Sequence, residues 1–494
     1  MKRNQWVRKL VMTSVVLTMV FPMLAACSGG KDTKTGQERT LRIGVLYGGY
    51  DDTYFRQQFT DVYEYTHQNV KIEIVPAIDQ SDQQYNQGEE KDRKEPNRLE
   101  AVKKIMDGSN PVDIIVTDPA QFRILARDGM LKQLDPLMQQ DKFDTNDFVP
   151  AVLDGIKSMG DGNMLGLAPT FNSSVLLYNK KLFADAGVEP PTDGMTWDEV
   201  FNKARLVAKG EGADRKYGFS FDRYAGGDPF WSMTYSYITP LQLRMFDNKG
   251  EKMTVNTGPW EKVWNSITKL STDKIMPTQN DGMMDNNTKP GPFDHDSFLS
   301  GKVAMVLSDF GYLNNDLANA MRNASKIKGF NKFDWDVVTA PSHPEAPGVS
   351  GSVNMNNIFA INNKAPNPDD AWDFVKFINS EDWAKIRSRS SYEMVSRKQF
   401  IKPKDGSSYN IDAFFNVKPV VPTNQDAEDL MSEKPALWQV NDIGRTLFQD
   451  VINGKKSTKQ ALAEWETKGN EMLQQIKNNP NGGGETVPGG IYGG

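Results

Sequence analysis

Cysteine and histidine are scarce in this sequence. Cys27 is the only cysteine among 494 residues. A single thiol excludes an internal disulfide and any metal site built from several cysteines. The three histidines, at positions 67, 295 and 343, are too scattered to show a metal-binding spacing. We therefore predict surface or loop positions for the histidines, and neither a metal site nor a cofactor.

The chain also lacks the common catalytic and nucleotide-binding motifs. It contains no GxxxxGK[ST], no GxGxxG after a strand, no HExxH and no GxSxG. Adjacent acids such as Asp51/Asp52 and Asp369/Asp370 are typical of solvated surfaces or helix caps. Spacing alone cannot place two carboxylates across a sugar. No catalytic residue is predicted.

Basic residues are fewer than acidic residues in the part of the chain that begins at Cys27. The segment before Cys27 holds four of the 58 basic residues and none of the 64 acidic residues, so the remainder carries a net charge of −10. Because nucleic-acid binding depends on basic patches, this balance disfavours nucleic acid as a partner. No second apolar run reaches the length that spans a membrane.

The one long apolar run lies at the N-terminus. "MKRNQWVRK" is basic, "LVMTSVVLTMVFPMLAA" is apolar, and small residues precede Cys27. This order is typical of an export signal. "LAAC" (24–27) resembles a bacterial lipobox, which implies cleavage before Cys27 and acylation of that cysteine. Residues 1–26 are then the signal peptide and residues 27–39 a flexible tether. The alternative is an uncleaved anchor with an incidental cysteine.

Strands alternate with helices in the next part of the chain. The segments 40–47, 70–75 and 112–116 have the patterns of strands, and the last is a continuous apolar run typical of a buried parallel strand. Asp118 and Pro119 predict a helix N-terminus. This order favours an α/β fold, with helices on both faces of a sheet.

Later segments repeat the pattern. Strands are predicted at 174–180, 302–307 and 334–340, a capping box at 196–199, and a helix cap at Asn367. Trp260, Trp264 and Trp372 lie on helical stripes and are predicted to be in the core. The polar segment 79–97 predicts a mobile surface insertion, and residues 480–494 a flexible tail.

Five segments, in order along the chain, carry a family resemblance. They are 111–137, 163–200, "FLSGKVAMVLSDFGYL" (298–313), 356–383 and "VINGKKSTKQALAEWETKGNEML" (451–473). Together they resemble the extracellular solute-binding proteins of ABC importers, the group that includes maltose-binding and oligosaccharide-binding proteins. The 79–97 segment departs from the shorter members.

The resemblance implies a periplasmic-binding-protein-like fold of two α/β lobes, with a hinge and a ligand cleft that closes around the solute. Residues 40–171 plus 350–402 would form the N-terminal lobe, and 172–349 plus 403–479 the C-terminal lobe. The chain would cross between lobes near 169–172, near Gly351 and just after residue 400.

The resemblance and the predicted strand ends also imply the ligand-binding residues. Asp228, Phe230 and Trp231 match the family's acid-Pro-aromatic-aromatic element, in which aromatic faces stack on sugars and the acid accepts hydroxyl hydrogen bonds. A buried aromatic patch is the alternative for these three. The remaining candidates are Tyr47, Gly48, Thr117, Asp118, Asn172, Asp309, Tyr312, Ser352, Asn354 and Trp438. For Asp118 a plain helix cap, and for Trp438 core packing, remain alternatives.

Two functions remain open. The resemblance implies a monomeric, non-enzymatic receptor, lipid-anchored through Cys27 at the outer membrane face. It would capture a solute, by analogy an oligosaccharide, and deliver it to a permease. The alternative is a surface-anchored carbohydrate-active enzyme with two facing carboxylates. The sequence does not identify the solute, and a peptide ligand remains an alternative to a sugar.

Overall fold

The structure is a computed structural model of the chain. It describes residues 38–49, 51–81, 97–224, 227–278, 281, 291–389, 392–404, 406–420 and 427–478. The predicted signal peptide and Cys27, most of the tether, most of the predicted insertion and the whole predicted tail lie outside these residues. Within them, no helix is long and apolar enough to cross a membrane.

Two of the strands in the described residues have ten residues each, and the others have two to six. In chain order they are β1 Arg39–Gly48, β2 Val70–Asp79, β3 Ile114–Thr117, β4 Thr170–Phe171, β5 Ser174–Asn179, β6 Met305–Asp309, β7 Trp335–Thr339, β8 Val349–Ser350, β9 Ile358–Ile361, β10 Met394–Val395 and β11 Lys418–Pro419.

Helices fill the intervals between the strands. The α-helices of five or more residues are α1 Asp61–Thr66, α2 Arg98–Asp107, α3 Pro119–Arg127, α4 Asp135–Gln140, α5 Pro150–Met159, α6 Lys180–Ala186, α7 Trp197–Val207, α8 Pro229–Met233, α9 Gly258–Thr272, α10 Ala318–Arg322, α11 Pro368–Ile378, α12 Glu381–Arg387, α13 Ala427–Glu433, α14 Gln439–Ile452 and α15 Thr458–Asn478.

The first sheet has the order β2-β1-β3-β9. β1 pairs in parallel with both β2 and β3, whereas β9 runs antiparallel to β3. Pro76 is accommodated in β2 because that strand lies at the sheet edge, where a missing backbone N–H breaks no ladder. The three strands predicted for this part of the chain are therefore confirmed, with small shifts of their ends.

The second sheet joins two hydrophobic cores. β5 pairs antiparallel with β6 and with β7. Successive side chains of a strand point to opposite faces. Accordingly, Val175 and Leu177 pack in the core that also surrounds the first sheet, and Leu176 and Tyr178 pack in a second core. Both faces of this sheet are buried.

Local capping signals are reproduced at most predicted helix starts. The Asp118 carboxylate accepts a hydrogen bond of 2.8 Å from the Gln121 backbone N–H at the start of α3. Thr196 and Glu199 form the predicted capping box. Asn367 occupies the N-cap position of α11 without capping it: its backbone N–H donates to Asp113 and its side chain to the Thr40 carbonyl. Tertiary partners replace the local cap there.

Many aromatic side chains pack together in the second core. Trp264 of α9 stacks on Trp465 of α15 with ring centroids 5.4 Å apart. Trp260, Trp264 and Trp372 are buried, which confirms their prediction as core residues. His343 differs from expectation: it lies in a loop, as predicted, but is only 4% exposed, because its imidazole packs against Tyr237.

Candidate functional site

Asp228 begins α8 and organises one group of predicted residues. One carboxylate oxygen, Oδ1, accepts a hydrogen bond of 2.9 Å from the Phe230 backbone N–H. The other oxygen, Oδ2, is ion-paired with Nε of Arg445 in α14. The N-cap turn therefore fixes the carboxylate, and the guanidinium neutralises it. Trp231, in the first turn of α8, is partly exposed.

Trp438 completes this group from a distant part of the chain. It ends the 3₁₀ turn Pro435–Trp438 that leads into α14 and is 40% exposed. Its ring centroid lies 6.1 Å from that of Trp231, with the planes inclined by 50°. We call Asp228, Trp231, Trp438 and Arg445 the tryptophan group. It combines two aromatic rings with a neutralised ion pair.

Asn172, Ser352 and Asn354 form a polar group where two chain segments meet. Asn172 and Asn354 exchange two backbone hydrogen bonds of 2.8 Å. Ser352 Oγ lies 3.4 Å from Ser173 Oγ. Glu393 accepts a hydrogen bond of 3.3 Å from Asn172 Nδ2 and one of 2.7 Å from the Thr170 hydroxyl. These contacts place three predicted residues together, with an acid that sequence analysis missed.

Asp309 extends the polar group along the second sheet. It pairs in the ladder with Ser174 and caps the following turn by accepting from the Tyr312 backbone N–H at 2.9 Å. The same turn contains Gly311, where an added Cβ would lie 3.5 Å from the Tyr392 carbonyl oxygen. The exposed Tyr392 ring is therefore close to Asp309 and one residue from Glu393.

The segment that carries Ser352 also contacts the helical run that carries Trp231. An added Cβ at Gly351 would lie 2.4 Å from the Tyr235 carbonyl oxygen, so only glycine permits this close approach. Tyr235 follows α8 within a π-helical turn. The chain segments that carry the polar group and Trp231 are therefore in direct contact.

Four predicted residues lie at the ends of neighbouring strands in the first sheet. Tyr47 and Gly48 are the last two residues of β1. Thr117 is the last residue of β3, and Asp118 follows it. The Tyr47 ring is exposed and lies 5.6 Å from the Arg98 guanidinium carbon. Thr117 is buried and donates to the Ile358 carbonyl at 3.5 Å. The carboxyl ends of parallel strands are the edge at which α/β sheets bind ligands.

A buried ion pair joins this edge to the segment before Trp438. α3, which begins after Asp118, carries Arg123, whose Nη2 lies 2.7 Å from Asp429 Oδ1 in α13. Lys434 lies five residues after Asp429 and immediately precedes the Pro435–Trp438 turn. The first sheet and the tryptophan group are therefore connected through α3 and α13.

Two predicted residues have no accessible ring face. Phe230 is 1% exposed and packs against Phe448 and Trp465 in the second core. Tyr312 is buried, and its hydroxyl donates to Asp296 Oδ2 at 2.8 Å. Burial beside the Asp296 carboxylate raises the pKa of the Tyr312 hydroxyl. The structure places both rings behind the site surface.

Arg445 and Glu393 are two residues of the candidate site that the sequence analysis did not predict. Arg445 lies seven residues after Trp438, which is two helical turns and therefore the same helix face. That spacing was available in the sequence. No comparable signal existed for the contacts of Glu393 with Thr170 and Asn172, which are more than 200 positions away in the chain. Within the described residues, no three His, Cys, Asp or Glu side chains are grouped to hold a metal ion.

With this geometry in place, comparison with known proteins identifies the family. Residues 49–385 match the family of bacterial extracellular solute-binding proteins. The chain belongs to that family. The predicted family resemblance is confirmed, and this solute-binding protein acts outside the cytoplasm as a component of ABC import. It is a binding protein and not an enzyme, which rules out the carbohydrate-active enzyme that the sequence left open.

Individual relatives are distant. The sn-glycerol-3-phosphate-binding periplasmic protein UgpB of Pectobacterium atrosepticum is 25% identical over 356 residues, covering 68% of this chain and 72% of its own. A sugar transporter protein from Rhizobium etli, solved in an open conformation, is 18% identical, covers 87% of this chain and 99% of its own, and has a TM-score of 0.58.

A second solved structure has a bound carbohydrate. The ABC substrate-binding protein from Listeria monocytogenes in complex with cycloalternan is 19% identical, covers 89% of this chain and 100% of its own, and has a TM-score of 0.52. At these identities the structural likeness establishes the fold. The predicted two-lobed α/β fold of periplasmic binding proteins is therefore confirmed.

Proposed function

We propose that this solute-binding protein captures a neutral oligosaccharide between its lobes and delivers it to an ABC permease. The tryptophan group carries the proposal. Two partly exposed indoles with centroids 6.1 Å apart offer apolar faces to the C–H surfaces of sugar rings. Asp228 and Arg445 lie beside them and supply an acceptor and donors for sugar hydroxyls.

The charge balance of the tryptophan group favours a neutral solute over a phosphate. Arg445 is its only cation among the described residues, and that cation is already paired with Asp228. A phosphate ester would have to compete with the carboxylate for the guanidinium and would meet like charge at Asp228. The glycerol phosphate named for the relative in Pectobacterium therefore fits the tryptophan group less well than a neutral sugar does.

The ligand seen in the Listeria neighbour supports the same class of solute. Cycloalternan is a carbohydrate, and that protein shares the fold over most of this chain. We also propose that the partly or fully exposed polar residues of the remaining site form hydrogen bonds with the sugar hydroxyls: Asn172, Asp309, Asn354 and Glu393. Tyr47 and Asp118 would contact the ligand from the first-sheet edge.

The lobe boundaries belong to the same proposal. Residues 40–171 plus 350–402 would form the N-terminal lobe, and 172–349 plus 403–479 the C-terminal lobe. The backbone pairs between 172 and 354, and between β4 and β10, would then lie at the hinge. Few backbone strands connect the lobes in this division, which is the usual condition for hinge closure.

A thermal-shift screen tests solute capture. The probes are neutral gluco-, galacto-, manno- and xylo-oligosaccharides, with sn-glycerol 3-phosphate as the anionic comparison. A probe at a hundred times its Kd adds about 2.7 kcal/mol to the free energy of unfolding. We expect a stabilising neutral sugar, and the Trp231→Ala variant should lose that shift. Stabilisation by sn-glycerol 3-phosphate alone would contradict the proposal.

We further propose that Cys27 anchors the mature protein to the outer membrane face through acyl chains. Several chains are needed, since each buried methylene contributes only about 0.8 kcal/mol. Replacing Cys27 with alanine should release the protein from the membrane fraction or leave it as a precursor. Membrane attachment that persists together with normal N-terminal cleavage would argue against acylation.

A further inference from the structure

A pocket separate from the tryptophan group includes Arg223 and Asp296, which both contact the Tyr312 side chain. Its volume is about 450 Å³, within the range typical of small-molecule sites. Arg223, Tyr224, Asp296, Asp316, Phe293 and Asn319 are among the residues that line it. None of the residues that line the pocket belongs to the predicted site.

Arg223 is held in a fixed orientation at this pocket. Its guanidinium carbon lies 4.2 Å from the centroid of the Tyr224 ring and 4.4 Å from that of Tyr312. Tyr312 is itself fixed by its hydrogen bond to Asp296. The two rings therefore confine the guanidinium plane. A preorganised guanidinium loses little conformational entropy when it binds a ligand.

The guanidinium still has donors to offer. Across the residues that the structure describes, its side chain makes no hydrogen bond, and its one ionic contact is a loose 3.8 Å approach to Asp316 Oδ2. Five N–H donors are available in a guanidinium. The Arg223 backbone carbonyl, by contrast, accepts from the Ser297 N–H and hydroxyl, which holds the loop in place.

Tyr224 supplies the apolar surface. Arg223 lies over its ring, yet the residue is 54% exposed, so much of the ring remains available to a ligand. Phe293 and Ile327 add apolar walls, and Asn319 and Asp316 add polar ones. A ring with an apolar face and hydroxyl edges fits this combination.

Charge selects against an anion here. The single guanidinium of Arg223 is opposed by the carboxylates of Asp296 and Asp316, both of which line the pocket. A phosphate or carboxylate ligand would meet a net excess of negative charge, whereas hydroxyl groups can accept from Arg223 and donate to Asp316.

The pocket is also close enough to serve the same ligand as the tryptophan group. Tyr224 and Asp228 are four residues apart in the chain, so their Cα atoms are separated by at most about 14 Å. A chain of several sugar rings can cover that distance.

We propose that this pocket is a second carbohydrate subsite, in which Tyr224 and Arg223 hold one neutral sugar unit of an oligosaccharide whose other units occupy the tryptophan group. The inference rests on the proposed function. It predicts that the affinity of this solute-binding protein rises with the length of the oligosaccharide, and that the gain depends on Tyr224.

Calorimetric titration of the full-length mature chain tests the subsite. The probes are the disaccharide and the pentasaccharide of the gluco-, galacto-, manno- and xylo-series. Tyr224→Ala should weaken pentasaccharide binding roughly three- to tenfold, the range expected for a lost aromatic contact. Disaccharide binding should not change. Tyr224→Phe should retain wild-type affinity for both, because it keeps the ring.

Matched controls separate the possible failures. Tyr65 is exposed at the end of α1 in the first-sheet region, so Tyr65→Ala should leave both affinities unchanged. Unchanged pentasaccharide affinity in Tyr224→Ala would overturn the subsite while leaving the proposed function intact. Equal losses for disaccharide and pentasaccharide would also overturn it, because the two regions would then be one site. Absence of binding by every sugar in the wild type would overturn the proposed function and the subsite together.

Discussion

Asp228 and Arg445 are 217 residues apart in the chain and form an ion pair beside the Trp231 and Trp438 rings. The pair connects the start of α8 to the middle of α14. It therefore links the two segments of the chain that present the indoles. The indole rings and the charge of Asp228 can each be removed by mutation, and the closure of the lobes can be measured separately.

Removing the Trp231 ring should reduce affinity more than stability. Trp231→Ala deletes an aromatic contact worth roughly 0.5–1.5 kcal/mol in addition to the buried area. We therefore expect at least a tenfold loss of sugar affinity, since about 1.4 kcal/mol is a factor of ten. Intrinsic tryptophan fluorescence of the wild type should change on binding. Titration and chemical unfolding of both proteins measure the two effects.

Trp438 provides the second arm of this test. Because the two rings are in contact range, Trp231→Ala and Trp438→Ala should be non-additive for ligand affinity in a double-mutant cycle. A large loss of ligand-free stability with intact affinity in Trp231→Ala would instead make Trp231 a packing residue, since core Trp truncation typically costs about 3–5 kcal/mol.

The charge of Asp228 can be removed while its helix cap is kept. Asp228→Asn retains the Oδ1 acceptor for the Phe230 N–H, and Asn and Asp are similar N-caps. The ion pair with the partly exposed Arg445 is lost, which should cost at most about 1 kcal/mol of stability.

Sugar affinity should fall by a larger factor in the Asp228→Asn variant. The ligand loses a carboxylate acceptor, and hydrogen bonds to charged groups contribute roughly 1.5–3 kcal/mol. Titration and thermal unfolding of wild type and variant give both numbers. Equal sugar affinity in the two proteins would show that the Asp228 carboxylate is structural only.

Lobe closure should be visible in solution. The proposed hinge segments include Asn172 and Asn354, which are joined by backbone hydrogen bonds, and Gly351, which packs against the Tyr235 carbonyl. We expect small-angle scattering to give a smaller radius of gyration with a saturating sugar than without it. Superimposable curves would mean that the protein does not close on binding. The same measurement on Trp231→Ala at equal sugar concentration should show a weaker change.

Local features of the fold could be predicted from the sequence, but the site contacts could not. The Asp118 and Thr196 caps depend on residues three positions away, so their spacing is visible in the sequence. Asn367 has the same local pattern, but Asp113 and Thr40 bind it instead. A partner more than 200 residues distant leaves no periodic trace.

Phe230 and Trp231 also show which features the local sequence predicts and which depend on tertiary packing. The motif containing Phe230 and Trp231 predicts two aromatic neighbours at the site, and in the helix they point in different directions. Phe230 packs into the second core, while Trp231 reaches its edge. Successive helical residues are about 100° apart, so one of two adjacent rings is expected inside. Which one is inside depends on the tertiary packing of α14 and α15.

Adding one methyl group at Gly444 should destabilise the second core. An ideal Cβ there would lie 2.5 Å from Cε2 and Cζ2 of Trp465, whose Nε1 is fixed by a hydrogen bond to the Val440 carbonyl. Alanine is favoured over glycine within a helix by about 1 kcal/mol, whereas overpacking a rigid core costs about 1–3 kcal/mol. We expect a net loss of stability in urea unfolding.

Gly469→Ala is the matched control for Gly444→Ala. Its Cβ would also be crowded, 2.7 Å from Met253 Cγ, but methionine is flexible and can move aside. Gly469→Ala should therefore be less destabilising than Gly444→Ala. The reverse order would mean that the indole of Trp465 is free to shift and that the second core is more plastic than its packing indicates.

The buried imidazole of His343 should make stability depend on pH. Burial lowers the pKa of His343 below 6.5, and the hydrogen bond to the Tyr237 carbonyl and the neighbouring Glu345 and Asp198 carboxylates offset this only in part. The neutral ring is accommodated by the Tyr237 carbonyl, 2.7 Å from Nε2. Because the unfolded chain binds the proton more tightly, the free energy of unfolding is highest above pH 6.5. It should fall as the pH decreases from 6.5 through the lower pKa of the folded state.

Replacing His343 with a side chain that does not titrate separates its contribution to the pH dependence of stability from the contributions of the other titratable residues. His343→Gln keeps a polar donor but cannot take up a proton in this pH range, so its stability should change less between pH 7.5 and 5.5 than that of the wild type. His67 and His295 are common to both proteins, and their effects cancel in the difference. Urea unfolding at several pH values measures it. Parallel stability curves for wild type and His343→Gln would show that His343 does not become charged on unfolding in this window, which would contradict a depressed pKa in the folded protein.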